Sequence, residues 1–442
     1  MSAPDRRGRR PVAAPARATQ GPLVIGIERL AAGGDGIGRI GAKVAFVPRS
    51  APGDEVEVRV GEERARWCRA SVLRVLVPGP DRTAPPCPAF GACGGCDWQH
   101  LAYPAQLTAK RSILEDALRR IGRLTPPAVA PTIPSPLQFG YRHRARLHTG
   151  RRQGAATFGF FRPGTHEVVA LEGCPVLHPS LDALLGILAA AGRRDPPAFA
   201  QVREVRLDTG WDGATVRLLT SRESAAAAHF PTALARPLTQ DAAALGIRLL
   251  LEDGEPLALG PGPDALVTTG ATFTQVNLRQ NLALVDLTIA LAAPQAGEEM
   301  LDLCCGLGNL SLPAAALGAR VTGIDLDGQA IIQARENAHR RGGDATFVRD
   351  DAAAAAAALA AAGRRFPLVL LNPPRTGARD VTAVIPALAP ARVVVVSCDP
   401  ATLARDAAAL SASGYRLDAV QPVDLFPQTA HIETVALFGR AG

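Results

Sequence analysis

Two repeating patterns of apolar and polar positions divide this chain of 442 residues. Over residues 23–76, short apolar stretches alternate with polar positions and stop at Gly, Pro and Asp turns: VIGIERL, AAGGDGIGRIG, KVAFVPRS, APGD, EVEVRV and ARWCRASVLRVL. Strands of this length and spacing predict a small, OB-like β-barrel. A helical period appears over residues 103–121, where Leu107, Ile113 or Leu114, Leu118 and Ile121 share a face and Gly122 ends the run. Residues 170–263 mix strands (VREVRLDT, ATVRLLT, GIRLLLED) with alanine-rich helices, an α+β pattern without a catalytic signature. From Glu299 onward strands and helices alternate, which predicts a Rossmann-like α/β domain on a parallel sheet.

The last apolar run of that domain, four valines at 393–396, reads as a strand buried on both faces. Ser397, Cys398, Asp399 and Pro400 follow, and Asp399 suits an N-cap with Pro400 at the first helical position. Cys398 is thereby expected at the carboxyl end of a central strand and the positive end of a helix, where a thiol pKa falls. Arg405, about a turn further on, is expected to help keep it ionised.

Composition narrows the class. With 47% hydrophobic and 20% charged residues the chain reads as a soluble globular enzyme. No apolar run approaches the ~20 residues of a transmembrane helix. Residues 1–20 lack the apolar core of a signal peptide and read as a disordered basic arm. A cytoplasmic location and no membrane partner follow, and there eight cysteines argue for thiols or metal ligands rather than disulfides. A net charge of +7, almost all from arginine, suggests a polyanionic partner. Arg29, Arg39, Lys43, Arg49 and Arg59 on the barrel would suit an RNA-binding face. So would FGYRHRARLHTGRRQG, where basic residues alternate with aromatic ones. His148, His166 and His178 stand alone and are not read as ligands. Oligomeric state has no signal in the sequence, and a monomer is the default.

Cys87, Cys93 and Cys96 are spaced C-x5-C-x2-C in a Pro/Gly-rich segment, and Cys174 is the candidate fourth thiolate. Zinc and an iron–sulfur cluster both fit four thiolates. Cys68, in a barrel strand, reads as core.

The stretch MLDLCCGLGNLSLPAAALGARVTGIDLD reads as a strand, a glycine loop with Gly306 and Gly308, a helix, and a second strand ending in Asp325. The glycines allow close approach of a ligand, and Asp325 is placed to accept from ribose hydroxyls. The loop lacks the third glycine of dinucleotide binders, so S-adenosylmethionine suits it better than NAD. Asp350 and Asn372 end the third and fourth strands, and all these residues converge on one crevice. Residues 352–362, an alanine run, read as a packing helix.

The motifs AAGGDGIGR, CPAFGACGGCDWQHL, YRHRARLH, FTQVN, DLCCGLGN, NPPRTGA, SCDPATLARD and FPQTAHIET, in this order, resemble the bacterial RNA uridine-C5 methyltransferases, in particular the 23S rRNA branch. The resemblance covers nearly the whole chain after the arm. It implies a TRAM-like barrel at 21–79, and an iron–sulfur and RNA-binding domain at 80–100 and 128–268. The methyltransferase domain would comprise 101–127 and 269–442. It further implies a 4Fe–4S cluster on Cys87, Cys93, Cys96 and Cys174, and cofactor contacts from Gln275, Asn309, Asp325 and Asp350. Cys304, Gly306, Gly308 and Asn372 belong to the same cofactor region. Cys398 matches the nucleophile and Glu433 the general base. Two departures stand out: the family usually has Phe where Cys304 stands and Asp where Asn372 stands.

Carbon 5 of uracil is a poor nucleophile, so the implied chemistry is covalent. Cys398 would add to C6, C5 would take the methyl from the sulfonium, and Glu433 would remove the C5 proton. Three alternatives share parts of the pattern. They are a tRNA uridine-C5 methyltransferase, an exocyclic-amine methyltransferase using Asn372-Pro373-Pro374, and a non-catalytic RNA-binding assembly factor.

Overall fold

The computed structural model describes residues 21–222, 232–270 and 272–441; the expected basic arm at 1–20 lies outside them. The chain separates into two compact units, residues 1–83 and 84–442.

In the first unit β1 (Leu23–Leu30), β2 (Gly36–Ile40), β3 (Lys43–Val47), β4 (Glu55–Glu63) and β5 (Trp67–Val77) close into a barrel in the order β1-β2-β3-β5-β4. Alternation along each strand sends Ile25, Ile27, Ala45, Val47, Val56, Val58, Cys68 and Ala70 into its core. A Cβ at Gly38 would lie 2.6 Å from the carbonyl oxygen of Gly26, so glycine is what lets β1 and β2 approach. Arg39 and Lys43 are matched by acids, Arg39 by Glu28 at 3.3 Å and Lys43 by Glu63 at 2.7 Å. Both side chains are therefore partly neutralised on the barrel surface.

The second unit opens with α1 (Tyr103–Arg120), which buries Ile113, Leu114 and Leu118 of the expected face together with Ala117, while Leu107 is half-buried and Ile121, just past the helix end, is exposed. Next come β6 (Arg144–Arg152), β7 (Ala155–Phe161), β8 (Val168–Ala170), α2 (Pro179–Arg194), β9 (Val202–Thr209), β10 (Thr215–Arg222), α3 (Thr232–Ala243) and β11 (Arg248–Leu250). Their strands form a six-stranded sheet in the order β11-β10-β9-β6-β7-β8. The basic–aromatic stretch leading into β6 is not one solvated face. Tyr141 and His143 are buried, and Arg144 pairs with Asp208. Tyr141 hands its hydroxyl to the carbonyl of Pro427 at 3.0 Å. Of this group Arg146 stays largely exposed. His178 caps α2, its Nδ1 accepting from the N–H of Ser180.

A short ribbon of β12 (Leu257–Ala258) and β13 (Val267–Thr268) and the helix α4 (Leu278–Ala292) lead to the last sheet. Its strands and helices are β14 (Glu299–Leu303), α5 (Ser311–Ala316), β15 (Arg320–Asp325), α6 (Gly328–Arg341), β16 (Ala345–Arg349) and α7 (Ala352–Ala361). They continue with β17 (Leu368–Leu371), α8 (Arg379–Val384), β18 (Arg392–Ser397), α9 (Pro400–Ala412), β19 (Tyr415–Val423) and β20 (Glu433–Arg440). Strand order is β16-β15-β14-β17-β18-β20-β19, parallel from β14 to β18, with β20 antiparallel to both of its neighbours. The valine run is apolar at every position because both faces are covered. Val393 and Val395 join the core that includes Leu114 and Leu403, while Val394 and Val396 join the core under Leu284 and Leu310. Each buried valine contributes about 1.5–3 kcal/mol by removal from water. The alanine run forms α7, buries Ala355 and Ala356, and takes Asp351 as its cap. No helix among the described residues is long and apolar enough to cross a membrane.

Candidate active site

Strand β18 stops where its apolar run stops, and Cys398 follows half-buried. The carboxylate of Asp399 accepts from the N–H groups of Ala401 and Thr402, at 2.9 and 2.8 Å, and starts α9 with Pro400 at its first turn. Backbone pairing of Ser397 with Thr434 sets Cys398 across from Glu433. The thiol is not depressed as the sequence led us to expect. Burial pushes its pKa up, the charge of Glu433 adds to that, and Arg375 opposes it. Arg405 is engaged elsewhere, donating to the carbonyl of Thr376 and to Asp406, at 3.0 Å each. The cation at the thiol is thus Arg375, from the loop after β17.

Glu433 is buried, and desolvation raises its carboxyl to about 8 against the pull of Arg375. Two residues before it, the Nε2 of His431 lies 3.4 Å from Arg375 Nη2. Burial and then Arg375 push that imidazole down to about 4, which keeps it neutral near pH 7. Loop 424–432, which brings Glu433 to Cys398, is anchored by α1. Lys110 Nζ donates to Asp424 at 2.5 Å and to the carbonyl of Phe426 at 3.0 Å. None of these anchors is visible as a pattern in the sequence. Arg375 carried one signal, its place directly behind a strand end.

On the other side of β17 the glycine loop follows β14. A Cβ at Gly306 would meet nothing within 4 Å, so this turn leaves open space beside the strand ends. Its N–H donates to Asp325 at the end of β15, at 2.8 Å. Gly308 adopts φ +92°, which favours glycine. Cys304 also takes a left-handed backbone, φ +64°, between the strand and the turn. Asn309 forms a reciprocal amide pair with Asn281 of α4, 2.9 Å in each direction. The Asp350 N–H donates to the carbonyl of Asp325 at 3.1 Å, and the Asn372 N–H to that of Leu303 at 3.2 Å. Those contacts gather Cys304, Gly306, Asn309, Asp325, Asp350 and Asn372 at the carboxyl ends of β14–β17. Gln275 lines a separate small cavity with His143, Asp208 and Leu278. Asp302, under the loop, is fully buried against the Ser311 hydroxyl, and burial lifts its carboxyl to about 7.

A third feature adjoins the first. Cys87, Cys93, Cys96 and Cys174 line one cavity of about 230 Å³, whose wall also includes Arg142, Arg375 and His431. Burial pushes Cys96 up to about 12 and Cys174 up to about 11, and neighbouring cysteines add to both shifts. Among the described residues no three His, Cys, Asp or Glu side chains group as they would about one metal ion.

Comparison with known proteins agrees with this architecture. Residues 300–374 match the family model described as a methyltransferase domain, and residues 24–79 match that of the TRAM domain. A 23S rRNA (uracil(1939)-C(5))-methyltransferase RlmD from Thiobacillus denitrificans is 37% identical, over 94% of this chain and 99% of its own. The protein of the same name from Azoarcus sp. is 38% identical over the same shares. The crystal structure of Pyrococcus abyssi tRNA (uracil-54, C5)-methyltransferase in complex with S-adenosyl-L-homocysteine shares the fold. It has a TM-score of 0.69 and 24% identity, over 94% of this chain and all of that one. With relatives at 37% and 38% identity matched over nearly their whole length, this chain belongs to the S-adenosylmethionine-dependent RNA uracil-C5 methyltransferases of the RlmD type.

Proposed function

We propose that this protein makes 5-methyluridine in 23S rRNA, with Cys398 as nucleophile and Glu433 as general base. The observation that supports the reading is the pairing of Ser397 with Thr434, whose register sets positions 398 and 433 opposite each other, near enough for the charge of Glu433 to act on Cys398. S-adenosylmethionine would occupy the glycine-loop crevice against Gly306, Asp325 and Asp350, with Cys304, Gly308, Asn309 and Asn372 completing the cofactor and base sites; Gln275, in its separate cavity, is left outside them. The target base leaves its stack to enter. The Cys398 thiolate adds to C6, and C5 then attacks the sulfonium methyl carbon, so that the S–CH3 bond breaks and S-adenosylhomocysteine leaves. Glu433 takes the C5 proton as the C6–S bond breaks. Both Cys398 and Glu433 are held towards their protonated forms by burial, and Arg375 opposes both shifts. Arg375 is therefore the group suited to favour the thiolate and the carboxylate when the base enters. An amine-methylating reading has less support, because Arg375 stands where such a site needs an aromatic ring and serves this pair instead.

The four cysteines suit a resident 4Fe–4S cluster. They spread around a cavity rather than about one point, whereas zinc needs every thiolate about 2.3 Å from it. Cys87, Cys93, Cys96 and Cys174 would hold the cluster, which would cross-link two distant segments and takes no part in methyl transfer.

Trapping with 5-fluorouridine-substituted RNA tests the reading. Fluorine cannot leave as a proton, so the wild type should stall as a denaturation-resistant adduct with a 23S rRNA fragment and S-adenosylmethionine. Cys398→Ala should give none while still binding RNA. An adduct formed with tRNA but not with 23S fragments would overturn the substrate assignment.

A further inference from the structure

The segment after Cys96 reaches directly into the loop that carries Glu433. The N–H groups of Asp97 and Trp98 both donate to the carbonyl of Gln428, at 3.0 Å each. The Asp97 carboxylate in turn accepts from the N–H of Ala430 at 3.1 Å. On the side of the turn towards α1, Gln106 Nε2 donates to Gln428 Oε1 at 2.9 Å, and the Gln428 N–H donates to Gln106 Oε1 at 3.0 Å. Gln428 has φ +69°, a left-handed conformation that a non-glycine residue keeps only where its surroundings hold it. The turn is therefore gripped from two sides. Asp97 is also near enough for its charge to act on buried Lys110, which anchors the start of the same loop.

We propose that Asp97 is a positioning residue for Glu433. Its carboxylate, fixed beside Cys96, clamps Ala430 and so sets the last turn before β20, from which Glu433 projects at Cys398. The cysteine-bearing segment and the base-bearing loop then move as one hydrogen-bonded unit. This inference rests on the reading of Glu433 as the base that removes the C5 proton. A side chain that only supported the fold would, when removed, weaken every step together. One that aims the base would slow proton removal and leave the earlier addition and methyl transfer intact.

The test uses the full-length protein with ordinary uridine-containing 23S rRNA fragment and S-adenosylmethionine, followed by turnover and by adduct on denaturing gels. Asp97→Ala should slow turnover by about 10–100-fold, the cost of misplacing a catalytic group by about 1 Å. It should also accumulate the methylated protein–RNA adduct, as Glu433→Gln should. Asp97→Asn keeps an acceptor oxygen and should restore turnover. Should Asp97→Ala not stay folded, Asp97→Ser, whose hydroxyl is too short to span to Ala430, carries the same comparison. Wild-type turnover in Asp97→Ala or Asp97→Ser, or lost turnover without adduct while Glu433→Gln accumulates it, would overturn the proposal. No adduct from Glu433→Gln itself would instead overturn the role of Glu433.

Discussion

Lys110 donates to Asp424 at 2.5 Å with both side chains wholly removed from solvent, although the two residues stand 314 positions apart. The pair ties the middle of α1 to the first residue of the loop behind β19. Its surroundings complete it, with the Trp98 ring 5.8 Å from the ammonium and the Phe426 carbonyl accepting a second bond from it at 3.0 Å.

Removing one partner strands the other. Lys110→Met should lower stability by about 3–5 kcal/mol, because the Asp424 carboxylate is left buried without its cation. Chemical unfolding followed by tryptophan fluorescence measures this. The double variant Lys110→Met/Asp424→Leu should recover much of the loss, and equal midpoints for wild type and Lys110→Met would show that the pair contributes nothing.

The raised carboxyl of Glu433 fixes a pH dependence. A general base acts ionised, so the single-turnover rate of C5-proton loss should climb up to about pH 8 and level off above it. Stability runs the other way. The folded pKa lies above the ordinary 4.5, so the contribution of Glu433 is complete below 4.5 and is lost as pH rises through about 8. Glu433→Gln, which cannot ionise, should therefore gain thermal stability over wild type at pH 9 and less at pH 6. A pH-independent difference between the two proteins would contradict the burial argument.

Cys87, Cys93, Cys96 and Cys174 act as a set in the cluster reading. Anaerobically purified wild type should carry about four iron atoms and four sulfides per chain. Cys174→Ser should lose most of both, although it stands 78 positions from Cys96. Zinc in stoichiometric amount with no iron would replace the cluster by a mononuclear site.

The strands, their ends and the cap behind Cys398 were legible because each is written locally. An all-valine run, an Asp-Pro start and a glycine turn hardly depend on distant residues. The upward shift of Cys398 was not legible, because it comes first from burial in the assembled fold and then from Glu433 on β20, opposed by Arg375 from the loop after β17. Tyr141 and His143 misled for a related reason. Their alternation with arginines suits a solvated strand, but both rings turn inward, and Tyr141 bonds to Pro427, 286 positions away. Lys110 reads as a solvated charge on an amphipathic helix until its partner is in place.

The insertion of β20 between β18 and β19 bears on how the protein is made. The barrel of residues 23–77 closes through neighbouring segments and can form as soon as they are synthesised. The sheet that presents Cys398 cannot. Until residues 433–440 enter, β18 has an open edge and Cys398 has no carboxyl opposite it. Loop closures of some 300 residues, slow to find and costly in chain entropy, then join α1 to the loop behind β19. Cys398 would thus gain its opposing carboxyl only in that last closing event, late in folding.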